Sequence, residues 1–301
     1  MIISASRRTD IPAFYARWFM NRIRAGYCTV PSPFNRRQVA AVSLTPENVD
    51  AFVFWTRNPM PLMPYLAELD GDGHNYLFNV TVMANPRMLD AGCPDVETSI
   101  RTMRRLSERI SPERIIWRYD PIVCSNLTPA DYHRKSFERI AHGLQGCTTR
   151  CIISTVRIYR KSRKRLHQLA GLELKEWSHP HLAELLRELA DCASRHGMEI
   201  FSCAQEHDFT PQGVKPGRCI DDALISRLFG IQLQIKKDPT QRDKCGCVAS
   251  KDIGMYDSCL YNCSYCYATS SIERARINHV LHDADSPSLL GWHNAGLPAQ
   301  A

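Results

Sequence analysis

No stretch of this sequence approaches the ~18 consecutive apolar residues that a helix needs to cross a bilayer, so no membrane anchor is expected. The start, MIISASRRTD, has only a short apolar run before two arginines, whereas a secretory signal needs a longer one. Internal repeats, coiled-coil heptads and low-complexity tracts are also missing, which excludes solenoid and fibrous classes. A cytoplasmic globular protein is the expectation. The 301 residues, 44% of them hydrophobic, suffice for one large domain or a domain with an appendage.

What the chain does have is cysteine, thirteen in all. Disulfides are rare in the reducing cytoplasm, so clustered cysteines there read as metal ligands or redox groups. Cys28, Cys93, Cys124, Cys147, Cys151 and Cys192 are scattered and read as small hydrophobes. The other seven lie between Cys203 and Cys266, where the chemistry is expected.

The net charge of +7 is concentrated in RIYRKSRKR, which holds Arg157, Arg160, Lys161, Arg163, Lys164 and Arg165. Such a run is either a solvated helix face or a patch for phosphates, from nucleic acid or from a small anionic substrate.

Short apolar runs alternate with amphipathic patterns. The runs are 2–6, 52–57, 76–82, 114–120, 151–156 and 199–204, and the helical patterns fall near 12–25, 96–110, 129–144, 181–196 and 221–229. Thr128 is the expected N-cap of the third helix, with Pro129 just inside. Such alternation implies a parallel sheet and suggests an α/β fold, a (β/α) barrel that is complete or incomplete. Barrel active sites lie where the strands end. Arg7, Arg8 and Asp10 follow the first run, and Trp55, Thr56, Arg57 and Asn58 the second. Later runs end in or are followed by Arg118, Asp120, Ser154, Thr155, Arg157, Gln205, Glu206 and Asp208. Of these, Arg7, Arg8, Asp10, Trp55, Arg57, Asn58, Asp120 and Arg157 are candidates for a substrate pocket. The expected division is a barrel body over 1–230, a cysteine-rich segment over 231–283 with one short strand in DIGMYD and a following helix, and a tail over 284–301.

Cys259, Cys263 and Cys266 place three thiols within eight residues. Three thiolates can hold an iron–sulfur cluster while leaving one iron open to a small chelate, which four-cysteine sites do not. The rival is a structural zinc knuckle, with Cys245 or Cys247 as fourth ligand. The spacing, and Tyr265 before the last cysteine, resemble the cluster motif of the radical SAM superfamily. That resemblance implies a 4Fe–4S cluster binding S-adenosylmethionine, whose one-electron cleavage gives methionine and a 5′-deoxyadenosyl radical. It also implies an electron donor such as flavodoxin or ferredoxin, and Tyr265 beside the adenine rather than in the core. Arg118, Asp120, Thr155 and Glu206 end successive strand runs, so a parallel barrel is expected to gather them near the cluster, one or more at the S-adenosylmethionine and the rest at substrate.

In that superfamily the motif follows the first barrel strand, whereas here it lies near residue 260. A circular permutation accounts for this, with DIGMYD as the displaced strand and IISAS its neighbour. This arrangement, with CGCVASKDIGMYDSCLYNCSYCYA, resembles the bacterial family labelled domain of unknown function 1848 over nearly the whole chain. A weaker likeness, in WRYDPI and IYRKSRKR, is to spore photoproduct lyase. Cys203, Cys219, Cys245 and Cys247 remain, and the close pair around one glycine suggests a second centre, an auxiliary 4Fe–4S cluster or zinc. The alternative to an enzyme is a metal-stabilised nucleic-acid-binding protein.

Overall fold

The computed structural model describes residues 1–35 and 37–295. In chain order the elements are β1 (Ile2–Ala5), α1 (Ile11–Phe14), α2 (Ala16–Ala25), β2 (Tyr27–Pro31), β3 (Val39–Ser43), β4 (Ala51–Thr56), α3 (Leu66–Gly71) and β5 (Tyr76–Thr81). Then follow α4 (Val96–Ile110), β6 (Ile115–Ile122), α5 (Ala130–Leu144), β7 (Arg150–Thr155), α6 (Arg160–His167), α7 (His179–Arg195) and β8 (Glu199–Cys203). The last are β9 (Lys215–Gly217), α8 (Asp222–Phe229), β10 (Lys251–Asp252) and α9 (Ile272–Val280). Eight of the strands belong to parallel α/β sheet, and β2 and β3 form a separate antiparallel hairpin.

The chain divides into two compact units. Unit 1 holds residues 1–77, 250–262 and 266–301; unit 2 holds 78–249 and 263–265. The cysteine-rich segment is therefore shared between them, and β5 starts in unit 1 and ends in unit 2.

In unit 1 the strand order is β10-β1-β4, with the start of β5 next. β1 pairs in parallel with β4, Ile3 opposite Phe52, and on its other side with β10, Ile3 opposite Lys251 and Ser4 opposite Asp252. The segment 251–252 thus returns to lie beside the first strand. Every residue of β1 is buried, the pattern of a strand covered on both faces. Phe19 of α2 sets its ring edge-on to Phe52 and Phe54 at 5.2 Å each, closing this core. Residues 284–295, expected as part of a tail, are packed instead: Trp18 Nε1 donates to the Ser286 carbonyl at 2.9 Å and Leu289 is buried. The irregular Pro- and Gly-containing backbone is satisfied by side chains of α2 and the hairpin rather than by a ladder. Residues 296–301 of that tail lie outside the described residues.

In unit 2 the order is β5-β6-β7-β8-β9. The pairs are parallel, for example Trp117 opposite Cys151 and Cys151 opposite Ile200. Trp117, Tyr119 and Phe137 pack together, Tyr119 edge-on to both of the others, with ring separations of 4.6–5.8 Å. α4 starts where Asp95 accepts from the Thr98 amide at 2.8 Å, which explains why its bounds match the sequence pattern. The N-cap of α5 is Pro129, not Thr128. The Thr128 hydroxyl instead donates to the Val123 carbonyl at 2.6 Å, tying the preceding loop. Among the described residues no helix is long and apolar enough to cross a membrane.

Candidate metal centres

Within unit 1, β10 leads straight into the cysteine loop. The Asp252 carboxylate accepts from Ser6 Oγ at 2.6 Å, the Arg7 amide at 2.9 Å and the Gly254 amide at 2.9 Å. Gly254 lies so close to the end of β1 that a Cβ there would meet Ser6 Oγ at 2.0 Å. Only glycine permits this approach. Beyond it, Tyr15 donates its hydroxyl to the Ser258 carbonyl at 2.7 Å, and Tyr261 packs on Phe14 at 4.7 Å. Asp257 and Asn262 take left-handed backbone, φ 57° and 54°, which short polar side chains tolerate and which coils the loop tightly. Cys259 and Cys266 are half-buried, and the Cys266 sulfur accepts the Ala268 amide at 3.3 Å. Burial, and next the charge of Cys259, raise the Tyr15 pKa, so the phenol stays protonated and donates to Ser258.

The substrate-pocket candidates of unit 1 gather at the ends of β1 and β4. The Arg7 guanidinium lies 5.6 Å from the Trp55 ring centre, and Arg8 lies 5.3 Å from that of Tyr256. Asp10 is buried, caps α1 and accepts the Arg57 amide at 2.7 Å. Burial pushes its carboxyl up to about 7, although the hydrogen bond from Arg57 works the other way. Asn58 donates its amide to Thr56 Oγ1 at 2.9 Å.

Residues 263–265 belong to unit 2, and there the structure reveals partners absent from the sequence reading. Cys263 forms an antiparallel bridge with Asp90, and its sulfur is 3.6 Å from that of Cys93. Asp90, Cys93 and Cys263 converge closely enough to hold a metal ion. Cys93, read as a scattered hydrophobe, is therefore part of this site. Asn85 and the Tyr265 hydroxyl donate to Asp90 at 3.0 and 2.5 Å. A cavity of about 210 Å³ opens here, lined by Asn85, Arg87, Asp90, Cys93 and Arg139 among others. The Tyr265 ring packs against the buried cluster of Leu89, Val123 and Leu166. Its hydroxyl finds a buried carboxylate and its body apolar cover.

The four remaining cysteines of the sequence argument come together in unit 2. Cys203 closes β8, Cys219 follows β9, and Cys245 and Cys247 lie in the loop before β10; all four are buried. The Cys203 and Cys219 sulfurs are 3.1 Å apart, and Cys203 also hydrogen-bonds Cys245 and Cys247. The Cys219 amide donates to the Cys247 sulfur at 3.3 Å. Hydrogen bonds from these neighbours, then burial, hold the Cys203 thiol well above its ordinary pKa. The Cys203 contact pulls Cys219 down, but Cys247 and burial prevail and push it up to about 12. Four buried thiols of this kind give up their protons to a metal and to little else.

Arg118, expected at the S-adenosylmethionine, donates from Nη1 to the Cys219 sulfur at 2.8 Å. Its other side pairs with Asp120, which in turn accepts from Ser154. Burial works against the guanidinium charge, but Asp120, Cys219 and Cys203 hold it charged and raise its pKa well above the ordinary value. Asp120 is committed to this network as well. Thr155 donates to Gln205 at 3.2 Å, next to it on the following strand end. Glu206 and Arg157 are exposed. The structure therefore sets Arg118 against the four thiols, links it through Asp120 to Ser154, and leaves Glu206 exposed.

A family model described as Domain of unknown function (DUF1848) matches residues 2–268. No curated protein matches the chain. Among solved structures, a candidate alpha-L-fucosidase from Bacteroides thetaiotaomicron VPI-5482 is similar at 10% identity and TM-score 0.31, over 78% of this chain and 82% of that one. A D-allulose 3-epimerase from Methylomonas sp. is similar at 9% identity and TM-score 0.23, over 66% of this chain and 50% of that one. Likenesses at these scores carry no argument about fold or activity.

Proposed function

The chain belongs to the family described as Domain of unknown function (DUF1848), and we propose that it is a radical SAM-type enzyme. In this reading Cys259, Cys263 and Cys266 hold a 4Fe–4S cluster that binds S-adenosylmethionine. The observation that carries the proposal is the position of the three-cysteine loop. It follows β10, which pairs in parallel with β1, and it leads into α9. That is the strand–loop–helix setting of the superfamily motif, moved to the other end of the chain. The eight parallel strands are read as the (β/α) barrel, complete or incomplete, with 231–283 completing it.

When bound, the cluster and S-adenosylmethionine supply a one-electron cleavage that starts radical chemistry on the substrate. The chain's own residues do the rest. Tyr15, Phe14 and Asp252 fix the loop by hydrogen bonds and ring contact. Arg7, Arg8, Trp55 and Arg57 present cationic and aromatic surface suited to an anionic substrate. The donor chemistry supports the reading: three half-buried thiols lie within eight residues of one loop, and three cysteine ligands leave one iron of a four-iron cluster for an external ligand.

Cys203, Cys219, Cys245 and Cys247 are assigned to a second metal centre, an auxiliary 4Fe–4S cluster or zinc. Four convergent thiols beside a buried guanidinium suit a closed site of net negative charge. The alternative, a metal-stabilised nucleic-acid-binding protein without catalysis, needs only this second centre. Anaerobically reconstituted protein, reduced with dithionite, should form methionine and 5′-deoxyadenosine from S-adenosylmethionine. If a loaded protein yields neither, the alternative stands.

A further inference from the structure

We propose that the basic helix α6 is the docking face for an acidic one-electron carrier protein, an inference that rests on the radical SAM reading above. The helix, Arg160–His167, carries Arg160, Lys161, Arg163 and Lys164 on exposed positions, and the run 157–167 contains no carboxylate. Its buried side is anchored by Leu166, packed in the cluster with Leu89 and Val123 against which the Tyr265 ring also lies. Arg165 is half-buried and donates from Nε to the Ser264 carbonyl at 3.3 Å. Ser264 sits between Cys263 and Tyr265, inside the cysteine motif, and its amide and hydroxyl are held by the Leu89 and Met88 carbonyls at 2.8 and 2.7 Å. The charged helix and this part of the cysteine loop are thus one packed body within unit 2.

That placement selects the partner. Electron transfer requires a carrier to approach closely but briefly, and such encounters use small, charge-steered contacts. An eight-residue helix spans about 12 Å, enough for such a contact. Single-stranded nucleic acid binds where aromatic rings alternate with cations and stack the bases. Here Tyr159 is the only aromatic in the run. Charge complementarity without stacking surface favours an acidic protein such as a flavodoxin. One electron passes from the reduced carrier to the cluster; no bond forms or breaks, and the carrier is oxidised by the one electron the cluster gains.

The test compares two matched double charge reversals in anaerobically purified protein. Arg160→Glu with Lys164→Glu alters the proposed face, and Arg101→Glu with Arg105→Glu alters exposed positions of equal spacing on α4. Flavodoxin binding is read by fluorescence anisotropy at several salt concentrations, independently of turnover. The α6 variant should bind about tenfold more weakly or worse, with a flatter salt dependence, and the α4 variant should bind as wild type. Dithionite-driven cleavage of S-adenosylmethionine should be equal in all three proteins. Equal flavodoxin binding by both variants would overturn the proposal. So would a loss confined to binding of a short DNA duplex, which would make α6 a nucleic-acid face. Absence of dithionite-driven cleavage in the wild type would instead refute the radical SAM reading, while the binding comparison would still decide the docking face.

Discussion

Arg118 Nη1 lies 2.8 Å from the sulfur of Cys219, joining a buried guanidinium to a group of four buried thiols. The same arginine pairs with Asp120, so one side chain links β6 to a site made by the last residue of β8, the loop after β9 and the loop before β10. The Asp120 carboxylate and the hydrogen bond to the Cys219 sulfur together compensate for the loss of water around the cation.

Removing that cation should therefore be costly. Arg118→Gln leaves Asp120 without its partner and should lower stability by about 3 kcal/mol or more. Urea unfolding of wild type and variant measures this. Cys203→Ser with Cys247→Ser should abolish metal at the second centre, read by iron and zinc analysis, and leave about four iron atoms per chain in the other cluster. Unchanged metal content in the double variant would remove the second centre from the account.

Tyr265 gives a graded test. Tyr265→Phe removes the hydroxyl from Asp90 but keeps the ring on Leu89 and Leu166. It should cost about 1.5–3 kcal/mol, the range for a hydrogen bond to a charged group, and leave iron content unchanged. Tyr265→Ala should lose iron as well, because the loop loses its apolar anchor. Full iron retention in Tyr265→Ala, with weakened S-adenosylmethionine binding alone, would restore a purely cofactor-facing role.

Asp10 makes stability depend on pH. Its folded-state pKa is pushed up from 3.8 to about 7, chiefly by burial. Between those values the folded protein keeps a proton that the unfolded chain has lost, so stability falls as pH rises. The contribution is fully present below about pH 4 and lost as pH passes about 7, on the order of 4 kcal/mol in total. Asp10→Asn should flatten that part of the profile, measured by urea midpoints at about pH 4, 6 and 8. Parallel profiles for the two proteins would show that Asp10 is ionised when folded.

Gly254→Ala tests the joint between β10 and β1. The added Cβ would sit 2.0 Å from Ser6 Oγ and 2.5 Å from Ser6 Cβ, so the backbone must shift. Destabilisation of about 1–3 kcal/mol, the cost of overpacking, and reduced iron loading are expected. Thermal unfolding and iron analysis check both. Gly254→Ala with wild-type values for each would show that the joint is looser than described.

Much of this was legible in the sequence where local rules decide. The pattern at 96–110 coincides with α4 because Asp95 caps it and its apolar face is regular. DIGMYD was readable as the neighbour of IISAS, although only Lys251 and Asp252 form a strand. The β2–β3 hairpin was not, since Pro31 ends the first strand and the link runs from Ser32 to Gln38. β9 is three residues with Pro216 and Gly217 and carries no periodic signal. The four-thiol group followed from counting cysteines, but the part played by Arg118 did not, because a strand-end arginine points equally well to solvent, substrate or sulfur. Cys93 was misread for a simpler reason. Its partner Cys263 lies 170 residues away, and no spacing rule reaches that far.

The most direct test of the central claim is paired analysis of wild type and the Cys259→Ala, Cys263→Ala, Cys266→Ala triple variant. Both are purified and reconstituted without oxygen, assayed for iron and sulfide, and then reduced with dithionite in the presence of S-adenosylmethionine. The account predicts that the variant holds about four fewer iron atoms per chain than wild type and forms no 5′-deoxyadenosine, while wild type forms it readily. Equal iron in the two proteins, or cleavage that survives in the variant, would contradict it.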